Sequence, residues 1–344
     1  MLAPLDIWKR LTGRSIEDAY NVLIRGGATR FLVPLLRVLH GAIALRHGAL
    51  VGCLARYLRG REAPAAVVSV LPNFNAVMRD AVREAHPGVP FVVLLTDYAD
   101  FPPRFWIVPG LDRVIVGSER AREQALELGI PGSRVTRSTG MVLNPRFHPR
   151  PGPEVRERMR KDLGIGADAF VVLLLFGGKG TPEIDPIAGA LLEARADWHV
   201  VAICGDNPPL HAGVERRAGG SGGRLHALGF THEVAGLLRA SDLLLTKPGP
   251  GSLAEAFHMR VPVVVARNAS TIPQERFNAR FVEERGLGLV VGHWREMPAA
   301  AANLAADAER LAAIRAALLA LPENHAVFEA LTTIAAEARS GVVR

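Results

Sequence analysis

Cysteine and lysine are both scarce in this 344-residue chain, and the scarcity narrows what it can be. Its two cysteines, Cys53 and Cys204, lie far apart and in no Cys-x-x-Cys or Cys/His spacing, which argues against a disulfide framework or a zinc site and suits a reducing cytosol. Lys9, Lys161, Lys179 and Lys247 are the only lysines, so arginine carries most of the net charge of +7. There is no charged-then-apolar leader pattern at the start. The apolar stretch from Phe31 to Tyr57 is interrupted by Arg37, Arg46 and Arg56, so no transmembrane helix is expected. No aromatic-and-basic module or helix-turn-helix signature accompanies the cations. Nucleic acid therefore ranks behind an anionic membrane surface or a phosphorylated substrate as the acidic partner.

What is present is an ordinary globular composition, 49% hydrophobic and 22% charged, in a length that fits two domains. From Asp6 to Arg61 the pattern is helical, with Leu32, Leu35, Leu36 and Leu39 on one face and breaks expected at Pro34 and Gly41. After Pro64, aliphatic runs at Ala66–Leu71, Phe91–Leu95 and Arg113–Val116 alternate with helical stretches at Ala76–Glu84 and Glu119–Leu128, the latter capped by Ser118. Prolines at 145, 149, 151 and 153 mark a stiff junction. The alternation then restarts, with strands expected at Phe170–Phe176, His199–Cys204, Leu225–Phe230, Leu243–Thr246, Val261–Ala266 and Leu289–Val291. Repeated βα alternation means two doubly wound, mainly parallel sheets. The expected domains are 1–148 and 149–322, with 323–344 a C-terminal helix that packs back on the first.

In such sheets ligands bind beyond the carboxyl ends of the strands, which directs attention to glycine-rich turns after strands. Gly177-Gly178-Lys179-Gly180 follows the most hydrophobic run; it reads as a tight turn or as a backbone that approaches a phosphate. Lys247-Pro248-Gly249-Pro250-Gly251-Ser252 joins a strand to a helix expected near Leu253, where free amides and the positive dipole end suit an anion. Glu255, expected in the first turn, reads as a dipole-complementing acid or as an acceptor for ribose hydroxyls. Gly249, Gly251 and Ala254 also fit a loose dinucleotide pattern; no acid follows the next strand, which ends near Arg267 and leaves only an NADP-type arginine reading, and neither lysine closes a G-x-x-x-x-G-K pattern. Gln274, Glu275 and Asn278 open a further helix on adjoining turns, as simple caps or as readers of several hydroxyls.

Taken in order, FGGKG at 176–180, VVAICG at 200–205, LGF at 228–230, SDLLLTKPGPGSLAEA at 241–256 and PQERFNARFVEERG at 273–286 resemble the donor half of the monogalactosyldiacylglycerol synthase and processive diacylglycerol glucosyltransferase family. That family is related to the lipid-linked N-acetylglucosaminyl transferase of peptidoglycan synthesis. The resemblance continues through TDYADFPPRFW at 96–106, LDRVIVGSE at 111–119 and GMVLNPRF at 140–147. It implies the GT-B architecture, two Rossmann-like domains facing across a cleft, and inverting transfer from a UDP-sugar to a lipid hydroxyl with no obligatory metal or cofactor.

By the same resemblance Gly177, Gly178, Lys179, Gly180, Gly205 and the Lys247–Ser252 loop hold the diphosphate of a UDP-hexose. Phe230 lies near the uracil, Glu255 takes the ribose, and Gln274, Glu275 and Asn278 take the sugar. Asp97 faces the acceptor and is the candidate catalytic residue. The implied setting is the cytoplasmic face of a membrane, with diacylglycerol or a related lipid as acceptor and the apolar, arginine-studded region from Arg25 to Arg59 as a docking surface. The sequence departs from the family at its front: Met1 to Trp8 corresponds to the place just after a first strand, a glycine-rich histidine loop, a helix and a second strand. An N-terminal domain without that unit has an exposed sheet edge, and the usual base is unassigned. A non-catalytic nucleotide-sugar or lipid-binding protein and a UDP-N-acetylglucosamine 2-epimerase are the rival readings.

Overall fold

The computed structural model describes residues 32–268 and 271–342. The chain forms two compact units, one of Met1–Val142, Ala269–Phe277 and His325–Arg344, the other of Leu143–Asn268 and Asn278–Asn324. The expectations for Met1 to Trp8, and for the helical pattern before Leu32, fall outside the described residues.

Among the described residues the first unit begins with helices α1 (Leu32–Leu45) and α2 (His47–Arg59). The breaks expected at Pro34 and Gly41 do not occur. Pro34 sits in the first turn, where the missing N–H has no helical partner to lose, and the single Gly41 costs about 1 kcal/mol without ending a helix. The chain bends instead at Arg46, by 69°. After the bend, Leu50, Val51, Leu54, Ala55 and Leu58 turn inward and share a core with Val77, Met78, Ala81 and Val82 of α3 (Asn75–Ala85). Among the described residues no single helix is long and apolar enough to cross a membrane; α1 from Val38 and α2 meet that length and composition only as a bent pair.

Strands β1 (Val67–Ser69), β2 (Phe91–Leu94), β3 (Arg113–Val116) and β4 (Val135–Arg137) form a parallel sheet in sequential order, with helix α4 (Glu119–Glu127) capped by the Ser118 side chain. The short β4 escapes sequence reading because Val135 and Thr136 are half-buried and Arg137 is exposed, leaving no apolar run. Strand alternation puts Phe91, Val93, Val114 and Val116 into the core of α1 to α3, while Val92 and Ile115 point to the opposite face.

The second unit begins with α5 (Pro153–Asp162) and builds a six-stranded parallel sheet. Its elements are β5 (Phe170–Leu175), α6 (Ile184–Ala194), β6 (Trp198–Ile203), α7 (Pro208–Gly219), β7 (Leu225–Leu228), α8 (Val234–Ala240), β8 (Leu243–Thr246), α9 (Pro250–His258), β9 (Val263–Ala266), α10 (Pro273–Glu284) and β10 (Gly288–Val291). Strands β5, β6, β8 and β9 are buried almost throughout, as a sheet covered on both faces requires. The spatial order is β10-β9-β8-β5-β6-β7, so the direction of winding reverses between β5 and β8. Asp242, just before β8, receives Arg156 at 2.8 Å on one oxygen and the buried Arg160 at 2.8 Å on the other, tying α5 to the sheet.

Helices α11 (Met297–Ala306) and α12 (Ala308–Leu319) complete the second unit. The last helix, α13 (Ala326–Val342), groups with the first. Its Ala330 and Ile334 meet Val92 and Ile115, and its Glu337 accepts Arg113 at 2.6 and 2.8 Å. Residues Ala269–Phe277 also group with the first unit, so α10 begins there and continues in the second. The molecule thus has the α/β class and two-sheet organisation of the GT-B fold.

Candidate functional site

The reversal between β5 and β8 matters because diverging helices leave a crevice at the carboxyl ends of those two strands. Three loops converge there. Gly177, after β5, lies so close to the turn after β8 that a Cβ on it would sit 3.5 Å from Lys247 Cε. Gly180 has φ +56°, and a Cβ on it would stand 2.2 Å from the carbonyl oxygen of Cys204. Gly205, after β6, has φ +65°, and its Cβ would meet the Gly178 carbonyl oxygen at 2.3 Å. The Asp206 amide donates to that same oxygen at 3.0 Å. Gly180 and Gly205 are therefore required by backbone packing. Gly178 is not: its φ is ordinary and nothing lies within 4 Å of a Cβ there, so its open side faces space a ligand can fill.

Helix α9 starts at Pro250 with Gly249 before it and no side-chain cap, which leaves its first amides available to an anion. Pro at the first position costs nothing, since its missing N–H is one of the unbonded ones. The Pro248 carbonyl accepts from Asn278 Nδ2 at 2.9 Å, and Thr246 Oγ1 donates to the Leu175 carbonyl, so the turn is held from two sides. Lys179 and Lys247 are exposed beside these loops. Thr181 Oγ1, next to the first loop, is buried and has no hydrogen-bond partner among the described residues. An unmet buried hydroxyl costs about 1–3 kcal/mol, and a ligand can relieve that cost. Burial pushes the neighbouring Cys204 thiol up to about 11, which keeps it in the less nucleophilic thiol form.

Glu255 is placed differently from the sequence expectation. Because α9 begins at Pro250 rather than near Leu253, Glu255 falls in the second turn and does not complement the dipole end. Burial pushes its carboxyl up to about 7. It lines a cavity of about 580 Å³ with Asn144, Arg146, Arg158, Thr231 and His232. Phe230, before that wall, is 63% exposed and meets the His232 ring edge-on at 5.1 Å. An exposed aromatic beside a polar cavity is a platform for a flat ring. Arg146 and Arg158 were not singled out from the sequence, since nothing marks them among so many arginines.

In the first unit the carboxyl end of β2 leads into Asp97. Trp106 Nε1 donates to Asp97 Oδ2 at 2.8 Å. Burial, then the charges of Glu275 and Asp100 against the opposing indole bond, push the Asp97 carboxyl up to about 6. Asp100, 1% exposed, is also pushed up to about 6 by burial, although backbone amides donate to it. Gln274 and Glu275, 6% and 8% exposed, belong to the same unit as Asp97, whereas Asn278 belongs to the other. Glu275 is thus close enough to Asp97 for its charge to act there. Gln274 Oε1 and Asn278 Oδ1 are buried with no hydrogen-bond partner among the described residues, two acceptors that hydroxyl donors would satisfy.

Comparison with known proteins bears on the fold and the family. Residues 183–315 match the glycosyltransferase family 28 C-terminal domain. A processive diacylglycerol beta-glucosyltransferase of Bacillus pumilus is 26% identical over 69% of this chain and 60% of its own length. Monogalactosyldiacylglycerol synthase 2 of Arabidopsis thaliana is 27% identical over 84% of this chain and 65% of its own. The chain thus spans 60–65% of the length of these two relatives. Among solved structures, UDP-GlcNAc 2-epimerase from Neisseria meningitidis superposes with a TM-score of 0.61 at 14% identity, over 84% of this chain and 81% of that one. Anabaena HepE in complex with UDP and glucose gives 0.54 at 17%, over 83% and 81%. At those identities the likeness is one of fold. The fold is GT-B, residues 183–315 are similar to the glycosyltransferase family 28 C-terminal domain, and the chain is similar over most of its length to diacylglycerol glucosyltransferases and monogalactosyldiacylglycerol synthases.

Proposed function

We propose that this chain transfers a hexose from UDP-galactose or UDP-glucose to the hydroxyl of diacylglycerol or a similar lipid, with inversion at the anomeric carbon. The observation that carries the reading is the convergence of three loops on the β5/β8 switch point, two of which, at Gly205 and at Lys247–Ser252, lie in the segment that matches a glycosyltransferase domain. The diphosphate, uracil and ribose of the donor are held by the second unit. Gly177, Gly178, Lys179, Gly180 and Gly205, with the turn from Lys247 to Ser252, hold the diphosphate; Phe230 takes the uracil and Glu255 the ribose. Gln274, Glu275 and Asn278 read the sugar. Asn278 does so through its open Oδ1, since its amide nitrogen is committed to Pro248.

The first unit is the acceptor-binding one, and Asp97 is its proton acceptor. The lipid oxygen forms a bond to the anomeric carbon while the bond from that carbon to the UDP oxygen breaks. The bonding pair leaves with UDP, and the hydroxyl proton passes to Asp97. Developing charge on the diphosphate is met by Lys247 and the free amides of α9, groups fixed in place before the reaction. The chain works at the cytoplasmic face of a membrane, bound peripherally through α1 and α2. Val38 and Leu45 there are 68% and 84% exposed, and the exposed Arg46 at the bend suits anionic lipid.

The test is transfer of labelled hexose from each UDP-sugar into the organic-soluble fraction with diacylglycerol vesicles. Labelled lipid is the expected outcome. UDP-sugar binding without any labelled lipid would leave a binding protein, and conversion of UDP-N-acetylglucosamine with no acceptor present would make the chain an epimerase.

A further inference from the structure

The loop that carries Asp97 is tied far more heavily than a surface connection needs. Asp100 Oδ1 accepts the Trp106 amide at 2.6 Å and Oδ2 accepts the Arg104 amide at 2.9 Å. The Asp100 backbone is held in turn by Gln124, whose side chain accepts its N–H at 2.8 Å and donates to its carbonyl at 2.9 Å. On the other side of the same peptide segment, Asn75 Nδ2 donates to the Trp106 carbonyl at 2.7 Å, and Asn75 is itself oriented by Ser69 Oγ at 2.6 Å. The backbone of Trp106 is thus fixed at both its N–H and its C=O. Arg104 pays part of the conformational cost with φ +66°, an uncommon value for a non-glycine residue.

All this fixes one side chain in particular. The Trp106 indole is 3% exposed, lies edge-on to Phe105 at 6.4 Å and ends on Asp97 Oδ2. An indole N–H only donates, so it stabilises the carboxylate and selects which oxygen is engaged. Asp97 Oδ1 accepts no hydrogen bond among the described residues, and Asp97 is partly exposed. Asp100 is the opposite case: both oxygens are taken by backbone amides and the residue is sealed from solvent.

We propose that Trp106 and Asp100 are positioning residues for Asp97. Asp100 sets the Trp106 backbone, and the Trp106 indole clamps Oδ2 so that Oδ1 stays open to receive a proton from the acceptor hydroxyl. The inference rests on Asp97 as proton acceptor in the function proposed above. The step balances as written there: the proton moves to Oδ1, the oxygen's pair forms the glycosidic bond, UDP leaves with the pair of the broken bond, and the neutral acid then loses its proton to water. The charged groups acting on Asp97 are Glu275 and Asp100, both like charges, and the neutral Trp106 indole opposes them as a hydrogen-bond donor. Removing the indole donor leaves burial and the two carboxylates unopposed, so Asp97 should then hold its proton to higher pH.

The experiment uses the full chain labelled with 15N-tryptophan and the variants Trp106→Phe, Asp97→Asn and Asp100→Asn. The Trp106 indole signal, identified by its loss in Trp106→Phe, should shift with pH around a midpoint near 6, and Asp97→Asn should abolish that shift. Asp100→Asn should shrink it, because the indole is no longer held. In transfer assays, Trp106→Phe should move the acid limb of the kcat/KM profile upward by about 0.5–1 pH unit, with KM for UDP-hexose unchanged. A flat indole signal, or one that titrates equally in Asp97→Asn, would overturn the coupling. A lowered rate with an unmoved pH profile would reduce Trp106 to a packing role. Absence of transfer by the native chain overturns the functional reading instead, while the indole titration still decides whether Trp106 and Asp97 are coupled.

Discussion

The carboxyl edges of the two sheets are built from different materials. At the β5/β8 edge the chemistry lies in the backbone: glycines at 177, 178, 180 and 205 shape the loops, and an uncapped helix start at Pro250 presents amides to an anion. At the edge after β2 it lies in side chains, with Asp97, Asp100 and Trp106 locked by Asn75, Ser69 and Gln124. A diphosphate is large, permanently charged and met well by many weak donors, whereas a proton must be taken by one group with a tuned affinity. The contrast suits a division of labour in which one unit holds the leaving group and the other supplies the base.

The strongest way to break that contrast is Asp97→Asn, which should lower transfer turnover about 10²–10⁴-fold while leaving UDP-hexose affinity unchanged, measured by initial rates and calorimetric titration. Equal losses in both would erase the distinction between the units. The same variant should stabilise the protein at pH 8. The Asp97 carboxyl is raised from 3.8 to about 6 in the folded state, so the native form holds more protons between those values and loses stability as pH rises through them. Removing the charge should gain about 2–3 kcal/mol above pH 6 and little below pH 4, read from unfolding of the first unit.

On the backbone-built edge, Gly205→Ala should cost about 2 kcal/mol or more, because it forces a Cβ against a carbonyl at a positive φ. Gly178→Ala should stay within about 0.5 kcal/mol of the native stability yet weaken UDP-hexose binding about tenfold. Thermal unfolding beside binding separates the two glycines. With its carboxyl at about 7, Glu255 should bind ribose hydroxyls better when ionised. UDP-hexose affinity should therefore rise about tenfold between pH 6 and pH 8, a range in which its phosphates do not titrate, and stay flat in Glu255→Gln. The smallest effect is expected outside both edges, where Arg37→Glu with Arg46→Glu should weaken binding to anionic vesicles about fivefold in a sedimentation assay.

The two edges also differ in how much of them can be read from sequence. Glycine loops announce themselves because the requirement for glycine is local, although only the packing separates Gly205, needed for its own backbone, from Gly178, free for a ligand. Glu255 is recognisable as a candidate with two readings, but the earlier start of α9 moves it to the second turn, half-buried on the wall of a cavity, which removes the dipole reading. Gln274, Glu275 and Asn278 share a helix start, yet Asn278 spends its amide on Pro248 and belongs to the other unit. The Trp106 clamp left no periodic trace, since its bonds reach from Asp97 and Asp100 to Ser69, Asn75 and Gln124 across irregular chain. Likewise the bend at Arg46 follows from where Leu50 and Leu54 must pack, while Pro34 and Gly41, the local helix breakers, break nothing.

The most direct test of transfer itself is a mass balance over one reaction: the chain is mixed with UDP-galactose or UDP-glucose and diacylglycerol vesicles, and both released UDP and hexosyl lipid are quantified by mass spectrometry. One hexosyl lipid per UDP from the native chain, and neither product from Asp97→Asn, is the expected result. UDP released without hexosyl lipid, or equal product from Asp97→Asn, would contradict the account.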